Sequence, residues 1–284
     1  MTILLTGATG KTGTELAKTL QAAGLSILIA SRSGKAPVPF KAITFDWLDP
    51  TTFENPFNAD PSIDRVYIVA PSWLVDLMPI VRPFIDLARA RGVKRFVLLS
   101  SSSFEPGELP LGPIHQYLIN SGVDYAVLRP TWFQQNFGTL HAASIRNTNQ
   151  ILSATGDGRI PFVSTQDIAK AALEALTAEP SLNKDLLLIG PELFTHDEVA
   201  KMLSTHLGRE ITHKKLSVEE LTTLYATEFG LPDDYAEIYA IKENGVGQGV
   251  EEKLFTEPSS DRTSVGTHRL EDYILANLEL WSEE

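Results

Sequence analysis

Residues 2–24 read TILLTGATGKTGTELAKTLQAAG, and they combine three features. Residues 3–6 form a short, mostly apolar run that stops at Gly7, and apolar side chains then recur at helical spacing until Gly24 ends the pattern. Three glycines, each three residues after the last, lie between the two. We therefore predict a strand, a tight glycine-rich turn and a helix, which is the first unit of a parallel α/β sheet.

Similar runs recur along the first half of the chain, with helical patterns between several of them. The further runs that we predict as strands are residues 25–30, 42–45, 66–70, 96–99 and 125–128. They are largely apolar on consecutive residues, as expected for parallel strands that helices cover on both faces. The pattern predicts a doubly wound parallel sheet of the Rossmann type over residues 1–150, and a smaller, partly interleaved C-terminal α/β lobe over residues 151–284.

The second half is less regular. It predicts strands at residues 160–163 and 186–189, with a helix over residues 165–176 between them. Another helix follows a capping-box pattern that starts at Thr195. We expect the glycine-rich, charged stretch at residues 244–252 to be a mobile loop.

Composition restricts the classes of function. The 284 residues carry 36 acidic and 24 basic side chains, and the net charge of −12 argues against nucleic acid or anionic membrane as a partner. The chain has no cysteine, which excludes disulfides, thiolate metal sites and cysteine nucleophiles. Histidines without paired ligand spacing predict no metal site, and the lack of a basic leader or a long apolar run predicts a cytoplasmic protein. The sequence does not indicate the oligomeric state.

The glycines have the spacing GxxGxxG over residues 7–13. Gly7 permits a sharp turn, Gly10 lets backbone amides approach a pyrophosphate, and Gly13 allows the helix to pack closely on the strand. The N-terminus of the helix adds N–H donors and the positive end of the helix dipole. We therefore predict dinucleotide binding, with a tight turn that only caps the helix as the alternative.

The end of the second predicted strand bears on the choice of cofactor. An acidic residue there accepts hydrogen bonds from a ribose 2′-hydroxyl, but residues 31–35 read SRSGK and contain no carboxylate. Ser31, Arg32 and Ser33, with Lys11 or Lys35, offer donors to a 2′-phosphate. The sequence favours NADPH over NADH, and the alternative is that Arg32 is only a solvated loop residue.

Later strand ends supply further candidates. Asp46 follows the third strand, where it can accept from the adenine amine or simply form a turn, and Trp47 is next to it. Ala70 and Pro71 end the fourth strand as a wall beside the cofactor ribose. Ser100 ends the fifth strand, either beside the nicotinamide or as part of a polar turn.

One pair of residues is missing. Short-chain reductases place a lysine four residues after a catalytic tyrosine, but Tyr117 is followed at that spacing by Ser121 and Tyr125 by Arg129. A hydride that goes to a carbonyl needs a proton donor for the alkoxide, whereas a hydride that goes to an iminium or an activated alkene needs none at that moment. The gap favours an iminium or an activated double bond as the substrate.

Several longer segments resemble a known family. They are TILLTGATGKTG at residues 2–13, FDWLD at 45–49, LRPTWF at 128–133, SATGDG at 153–158 and IPF at 160–162. Together they resemble the NmrA-like atypical short-chain dehydrogenases/reductases, and within these the fungal festuclavine and agroclavine dehydrogenases of ergot alkaloid biosynthesis. The resemblance spans almost the whole chain. Residues 102–111 have a character of their own, and Gly13 is replaced in part of the dehydrogenase subgroup.

The resemblance implies an NADPH/NADP⁺-dependent reductase that acts on an iminium or activated C=C or C=N bond of an alkaloid in fungal secondary metabolism. The cofactor contacts that it implies are Gly7, Thr9, Gly10, Lys11, Thr12, Gly13, Arg32 and Asp46. The substrate contacts that it implies are His115 and the segment Thr131-Trp132-Phe133. Together with Ser100 at the end of the fifth strand, His115 and Thr131 are our predicted catalytic residues. Our predicted substrate contacts are Trp132 and Phe133, with Trp73 after the fourth strand and Tyr235. His115 can equally be structural, and the aromatic side chains can equally be core.

Two other functions stay open. The first is an isomerase or cyclase that acts on a related alkaloid with NADP(H) merely bound or used twice. The second is a redox-sensing regulator of the NmrA type that binds the nucleotide without catalysis. An enclosed pocket for a small molecule between the predicted domain and lobe would favour the reductase.

Overall fold

The computed structural model describes residues 1–71 and 73–282 of the chain. The strands are β1 Thr2–Thr6, β2 Ser26–Ser31, β3 Ala42–Thr44, β4 Ile63–Ile68, β5 Arg95–Leu99, β6 Asp124–Pro130, β7 Gln150–Ser153, β8 Lys184–Ile189, β9 Thr212–Lys215 and β10 Thr263–Val265. The α-helices are α1 Lys11–Ala22, α2 Asn55–Ala59, α3 Met78–Ala90, α4 Gly112–Ser121, α5 Ala142–Thr148, α6 Thr165–Thr177, α7 His196–Leu207, α8 Val218–Phe229, α9 Asp233–Val246, α10 Val250–Thr256 and α11 Leu270–Leu275.

The large sheet, as far as the structure describes the chain, has eight strands in the order β10-β8-β6-β5-β4-β1-β2-β3. The pairs β1–β2, β1–β4, β2–β3, β4–β5 and β5–β6 are all parallel. The chain moves outward from β1 in one direction to β3 and then in the other direction from β4 to β6. This reversal creates a crevice at the carboxyl ends of β1 and β4, and it confirms the predicted doubly wound fold.

One compact unit contains residues 1–129 and 165–187, and the other contains residues 130–164 and 188–284. The chain therefore crosses from one unit to the other three times. The boundary that the sequence suggested, residue 150, is the first residue of β7 within the second unit.

The core of the first unit forms because the strand side chains are apolar on both faces. On one face, Leu4 and Val66 pack with Phe84 of α3 and Leu118 of α4, and all four side chains are fully buried. Helix α1 contacts α6 within the same unit. Strand β4 begins at Ile63, three residues earlier than predicted, because the charged residues Asp64 and Arg65 interrupt its apolar run.

The second unit contains β7 and β9, which form a separate parallel pair. Its core includes Phe137, Ile151, Leu203 and Trp281, all of them fully buried. The Trp281 indole donates to the Phe137 carbonyl at 2.8 Å. No helix in the described parts of the chain is both long and apolar enough to span a bilayer.

Two local predictions for this unit are wrong. Residues 160–163 form only isolated bridges, since Pro161 has no N–H for a ladder and the carbonyl of that residue accepts from Gly190. Residues 244–252 are mostly helical: α9 continues to Val246, and α10 starts after Gly249, which has a φ of 81°. Here the glycines join two helices rather than form a long loop.

Candidate nucleotide and substrate site

The glycine-rich turn after β1 has a geometry that only glycine satisfies at two positions. Gly7 has a φ of 65°, and a Cβ there would lie 2.6 Å from the Val69 Cβ. A Cβ on Gly13 would lie 2.4 Å from the Gly7 carbonyl oxygen and 2.5 Å from the Ala8 Cα. The Gly10 amide donates to that same Gly7 oxygen at 3.0 Å, which closes the turn. The start of α1 is therefore seated directly against the end of β1.

The N-terminus of α1 is open to a ligand. Its N-cap residue is Gly10, which has no side chain to cap the first amides, and the first turn contains no acidic residue. Thr9, Gly10 and Lys11 are exposed, whereas Thr12 and Gly13 are buried against the unit. A pyrophosphate fits this arrangement, because the amides and the helix dipole both favour a negative charge at this point.

The loop after β2 is held by its own serines. The Ser31 hydroxyl donates to the Lys35 carbonyl at 2.8 Å, and the Ser33 hydroxyl oxygen accepts from the Lys35 amide at 3.3 Å. Gly34, with a φ of 64°, completes the turn. Arg32 and Lys35 are exposed at the carboxyl end of β2, so both cations are accessible to an anionic group.

The segment after β3 is tied to the end of β4. The Trp47 indole donates to the Val69 carbonyl at 3.0 Å, and its ring packs edge-on against Phe45 at 4.9 Å. Asp46 accepts from the Leu48 amide at 3.0 Å through Oδ1. The turn that the sequence offered as an alternative for Asp46 is thus present. Trp47 and the glycine turn both contact Val69, so the structure brings these two predicted cofactor segments together.

Ser100 lies at the carboxyl end of β5 and is 6% exposed. Its amide donates to the Leu128 carbonyl at 2.8 Å, but its hydroxyl oxygen has no hydrogen-bond partner among the described residues. An unpaired buried hydroxyl costs about 1–3 kcal/mol, so a ligand that hydrogen-bonds to it is favoured.

The other predicted residues of the first unit differ in exposure. His115 is buried in α4, and its amide is bonded to the Leu111 carbonyl at 3.3 Å. Pro71 is buried and Ala70 half-buried, whereas Trp73, two residues after Pro71, is exposed. Ser100 directly follows β5 and His115 lies in α4, and residues 101–111 connect these two elements.

Tyr117 is not a catalytic phenol in this structure. Its hydroxyl donates to the Asp86 carboxylate, and burial together with that carboxylate raises the pKa of the phenol. A phenol whose pKa is raised is a poorer proton donor at neutral pH.

The segment that follows β6 belongs to the second unit. The Thr131 hydroxyl donates to the Pro161 carbonyl at 2.6 Å, and the Thr131 amide donates to the Leu188 carbonyl at 2.9 Å. Trp132 is half-buried and packs against the core of this unit, and Phe133 forms a bridge with Val163. The hydrogen bond from the Thr131 hydroxyl to the Pro161 carbonyl therefore fixes the backbone that leads into Trp132 and Phe133.

Tyr235 lies in α9, another element of the second unit. It is buried in α9 and stacks on Tyr239 with a ring separation of 4.6 Å. Tyr239 in turn packs against the buried cluster that contains Leu221, Ala236 and Ala240. This packing is what a core tyrosine requires.

The sequence did not reveal a chain of hydrogen bonds in the second unit, which runs from the exposed Asp197 to the buried His196. Asp197 contacts His213 Nδ1 at 3.4 Å, and His213 Nε2 lies 2.7 Å from the Ser153 hydroxyl. Ser153 lies 2.8 Å from the Thr155 hydroxyl, which lies 2.8 Å from His196 Nδ1. Burial lowers the pKa of both histidines, which favours the neutral form of each ring.

The direction of that chain follows from the carboxylate, which only accepts. His213 must donate through Nδ1, so its Nε2 accepts from Ser153; Ser153 in turn accepts from Thr155, and Thr155 accepts from His196 Nδ1. The SATGDG motif contains both hydroxyl groups, but nothing in the sequence indicated that two histidines beyond residue 190 pair with them.

Glu243 is a second buried group that the sequence did not reveal. Its carboxylate accepts from the Ala154 amide at 2.8 Å and from the Tyr225 hydroxyl at 2.7 Å. Burial raises the pKa of this carboxyl group to about 7. The group therefore titrates in the neutral range and links α9 to α8 and to the end of β7.

Comparisons with known proteins agree with this geometry. Residues 7–179 match the model of a protein family described as NAD(P)H-binding. The chain is similar to agroclavine dehydrogenase of Claviceps fusiformis, with 44% identity and 99% coverage of both chains. It is 43% identical to festuclavine dehydrogenase of Aspergillus fumigatus over 88% of this chain and 89% of that one.

A structural comparison agrees on the fold. The crystal structure of an NADPH-dependent quinone oxidoreductase from Escherichia coli, complexed with NADPH, superposes with a TM-score of 0.75 at 22% identity. That match covers 97% of this chain and 99% of the other. At this identity the likeness concerns the fold alone.

Proposed function

Because this chain belongs to the NAD(P)H-binding family, we propose that it is a reductase that transfers a hydride from NADPH to the iminium carbon of an alkaloid-type small molecule. The observation that carries the proposal is the glycine turn, where Gly7 and Gly13 leave room only for backbone and α1 begins without a side-chain cap. The extent of similarity to agroclavine and festuclavine dehydrogenases supports the substrate class.

We propose a binding place for three parts of the nucleotide. The amides at the start of α1 would hold the pyrophosphate, and Arg32 with Lys35 would pair with the 2′-phosphate. The carboxylate of Asp46 keeps lone pairs for the adenine amine, since the structure shows Oδ1 accepting from one amide. The choice of NADPH over NADH rests on the two cations and on the absence of a carboxylate from residues 31–35.

NADPH, when bound, supplies the hydride. An iminium carbon that accepts a hydride gives a neutral amine, so no side chain has to donate a proton in that step. This agrees with a chain in which Tyr117 donates to Asp86 instead of standing beside a lysine. The role left for the protein is to orient the reactants and exclude water.

Ser100 is the first residue that we assign to orientation, because its buried hydroxyl can hydrogen-bond to the nicotinamide or to the substrate. We propose that the buried His115 shapes the substrate pocket beside Ser100. Thr131 would act by fixing the backbone of the next two residues through its bond to Pro161. Trp73, Trp132 and Phe133 are aromatic contacts suited to a cationic substrate. We also propose Tyr235 as a substrate contact. Its structural role is to stack on Tyr239.

The direct test mixes the purified chain with NADPH and a cyclic iminium while the nicotinamide absorbance is followed. We expect one NADPH to be oxidised for each amine that forms, and NADH to be used less well. Product without net oxidation would identify an isomerase or cyclase instead. Equal binding of oxidised and reduced nucleotide without any turnover would identify a regulatory protein.

A further inference from the structure

Arg129 lies near the carboxyl end of β6, is almost fully buried, and bonds to three groups. One terminal nitrogen donates to Asp185 at 3.0 Å and to Glu105 Oε2 at 3.2 Å. The other donates to the Ser102 carbonyl at 3.1 Å and to Glu105 Oε1. The guanidinium therefore joins β6 and β8 to the segment that follows β5.

That segment, residues 100–112, connects the two residues of the first unit that we propose to orient the reactants. It begins at Ser100 and ends at Gly112, in the first turn of the helix that carries His115. A Cβ on Gly112 would lie 2.0 Å from the Glu105 carbonyl oxygen, so the helix packs directly on the backbone of residue 105. A displacement of Glu105 would therefore disturb the start of that helix, and the same guanidinium holds the Ser102 carbonyl, two residues after Ser100.

The two carboxylates that share Arg129 are not equivalent. The side chain of Glu105 is 69% exposed, whereas that of Asp185 is 13% exposed. Neutralising Glu105 leaves Arg129 paired with Asp185, so no buried charge loses its partner. Removing Arg129 instead would leave two carboxylates facing each other, which is strongly destabilising.

Building on the reductase function proposed above, we propose that the Glu105–Arg129 ion pair is a positioning device that holds residues 100–112, and with them Ser100 and His115, in the geometry needed for hydride transfer. Neither residue of the pair touches the reacting atoms in this proposal. Each acts through the segment that it holds. The pair should affect turnover more than it affects the binding of the nucleotide, because the glycine turn that binds the pyrophosphate follows β1 rather than β5.

The same sheet supplies a matched control at its opposite edge. Glu179 is also 69% exposed and also pairs with a buried arginine, Arg95, at 3.4 Å, in addition to Arg65 at 2.9 Å. Arg95 is the first residue of β5, whereas Arg129 is close to the last residue of β6. In a parallel sheet these two positions lie at opposite edges, so Glu179→Gln removes a similar charge far from the carboxyl ends of the strands.

The experiment compares Glu105→Gln and Glu179→Gln in the full-length chain by two readouts. Hydrogen–deuterium exchange of the amides in residues 100–112 should be about fivefold faster in Glu105→Gln than in the wild type, since a charge-assisted hydrogen bond becomes a neutral one. The kcat with NADPH and an iminium should fall about fivefold with a change in the KM for NADPH of less than about twofold. Glu179→Gln should leave both readouts at the wild-type values.

Three results would overturn the positioning role: equal exchange in the two variants, faster exchange with an unchanged kcat, or a rise in KM for NADPH that accounts for the whole loss. A wild-type chain that oxidises no NADPH with any iminium would refute the proposed reductase, and the positioning role in hydride transfer would fall with it. In that case the exchange comparison still shows whether the ion pair holds the segment, which separates the two failures.

Discussion

Replacing Gly7 by alanine should damage both the stability of the fold and the binding of the nucleotide. The φ of 65° costs an alanine about 1–2 kcal/mol, as for any residue with a Cβ in the left-handed region. The new Cβ would also lie 2.6 Å from the Val69 Cβ, and relief of such a clash in a packed site costs about 1–3 kcal/mol more. We therefore expect a loss of about 2–5 kcal/mol in the free energy of unfolding.

Gly24→Ala is the matched control for this change. Gly7 precedes α1 and Gly24 follows it. Gly24 also has a positive φ, 73°, but a Cβ there would meet nothing within 4 Å. Thermal unfolding should place Gly24→Ala about 1–2 kcal/mol below the wild type and Gly7→Ala lower still. Calorimetric titration with NADPH should show an unchanged Kd for Gly24→Ala and a Kd raised at least about tenfold for Gly7→Ala, because the first amides of α1 move. If the two variants unfold alike and bind NADPH alike, the close approach of the turn to Val69 has no role in binding.

Three further outcomes follow from the structure. Arg32→Ala should lower the ratio of kcat/KM for NADPH to that for NADH by about tenfold, and steady-state kinetics with an unchanged ratio would show that this guanidinium does not contact the 2′-phosphate. Burial raises the pKa of Glu243 from 4.5 to about 7, so between these two pH values the folded state binds a proton that the unfolded state has released. The contribution of this group to stability therefore falls as the pH rises from about 4.5 to 7. Urea titrations across that range should give a flatter profile for Glu243→Gln, and an equal slope would refute the assignment. Nitrogen NMR should find His196 and His213 protonated at Nδ1. Ser153→Ala should change the Nε2 signal of His213 but not its Nδ1 proton. Protonation at Nε2 in the wild type would reverse the direction of this chain of hydrogen bonds.

The part of the fold that was predicted correctly is the part whose signals are local. The strand, the glycine turn and α1 follow one another within 24 residues, and each shows in the spacing of apolar side chains and glycines. The doubly wound sheet followed from the same kind of run, repeated along the first half. The predicted nucleotide-binding family was also confirmed, because the glycine turn that indicates it lies within a short stretch of sequence.

The rest depends on contacts that no local pattern contains. Strand β9 reads THKK, and it is a strand only because it pairs with β7, about 60 residues earlier. The hydrogen bonds of His196 and His213 likewise require hydroxyl groups from the end of β7. The pairing of Arg129 with Glu105 joins residues 24 apart, and no local pattern in the sequence indicated it.

Transfer of deuterium is the most direct measurement of hydride delivery. The purified chain would be given NADPH that carries deuterium on the transferred position of the nicotinamide, together with a cyclic iminium, and the amine would be analysed by mass spectrometry and NMR. We predict one deuterium on the former iminium carbon for each nucleotide oxidised. An amine or rearranged product that forms without deuterium at that carbon would contradict hydride transfer to an iminium.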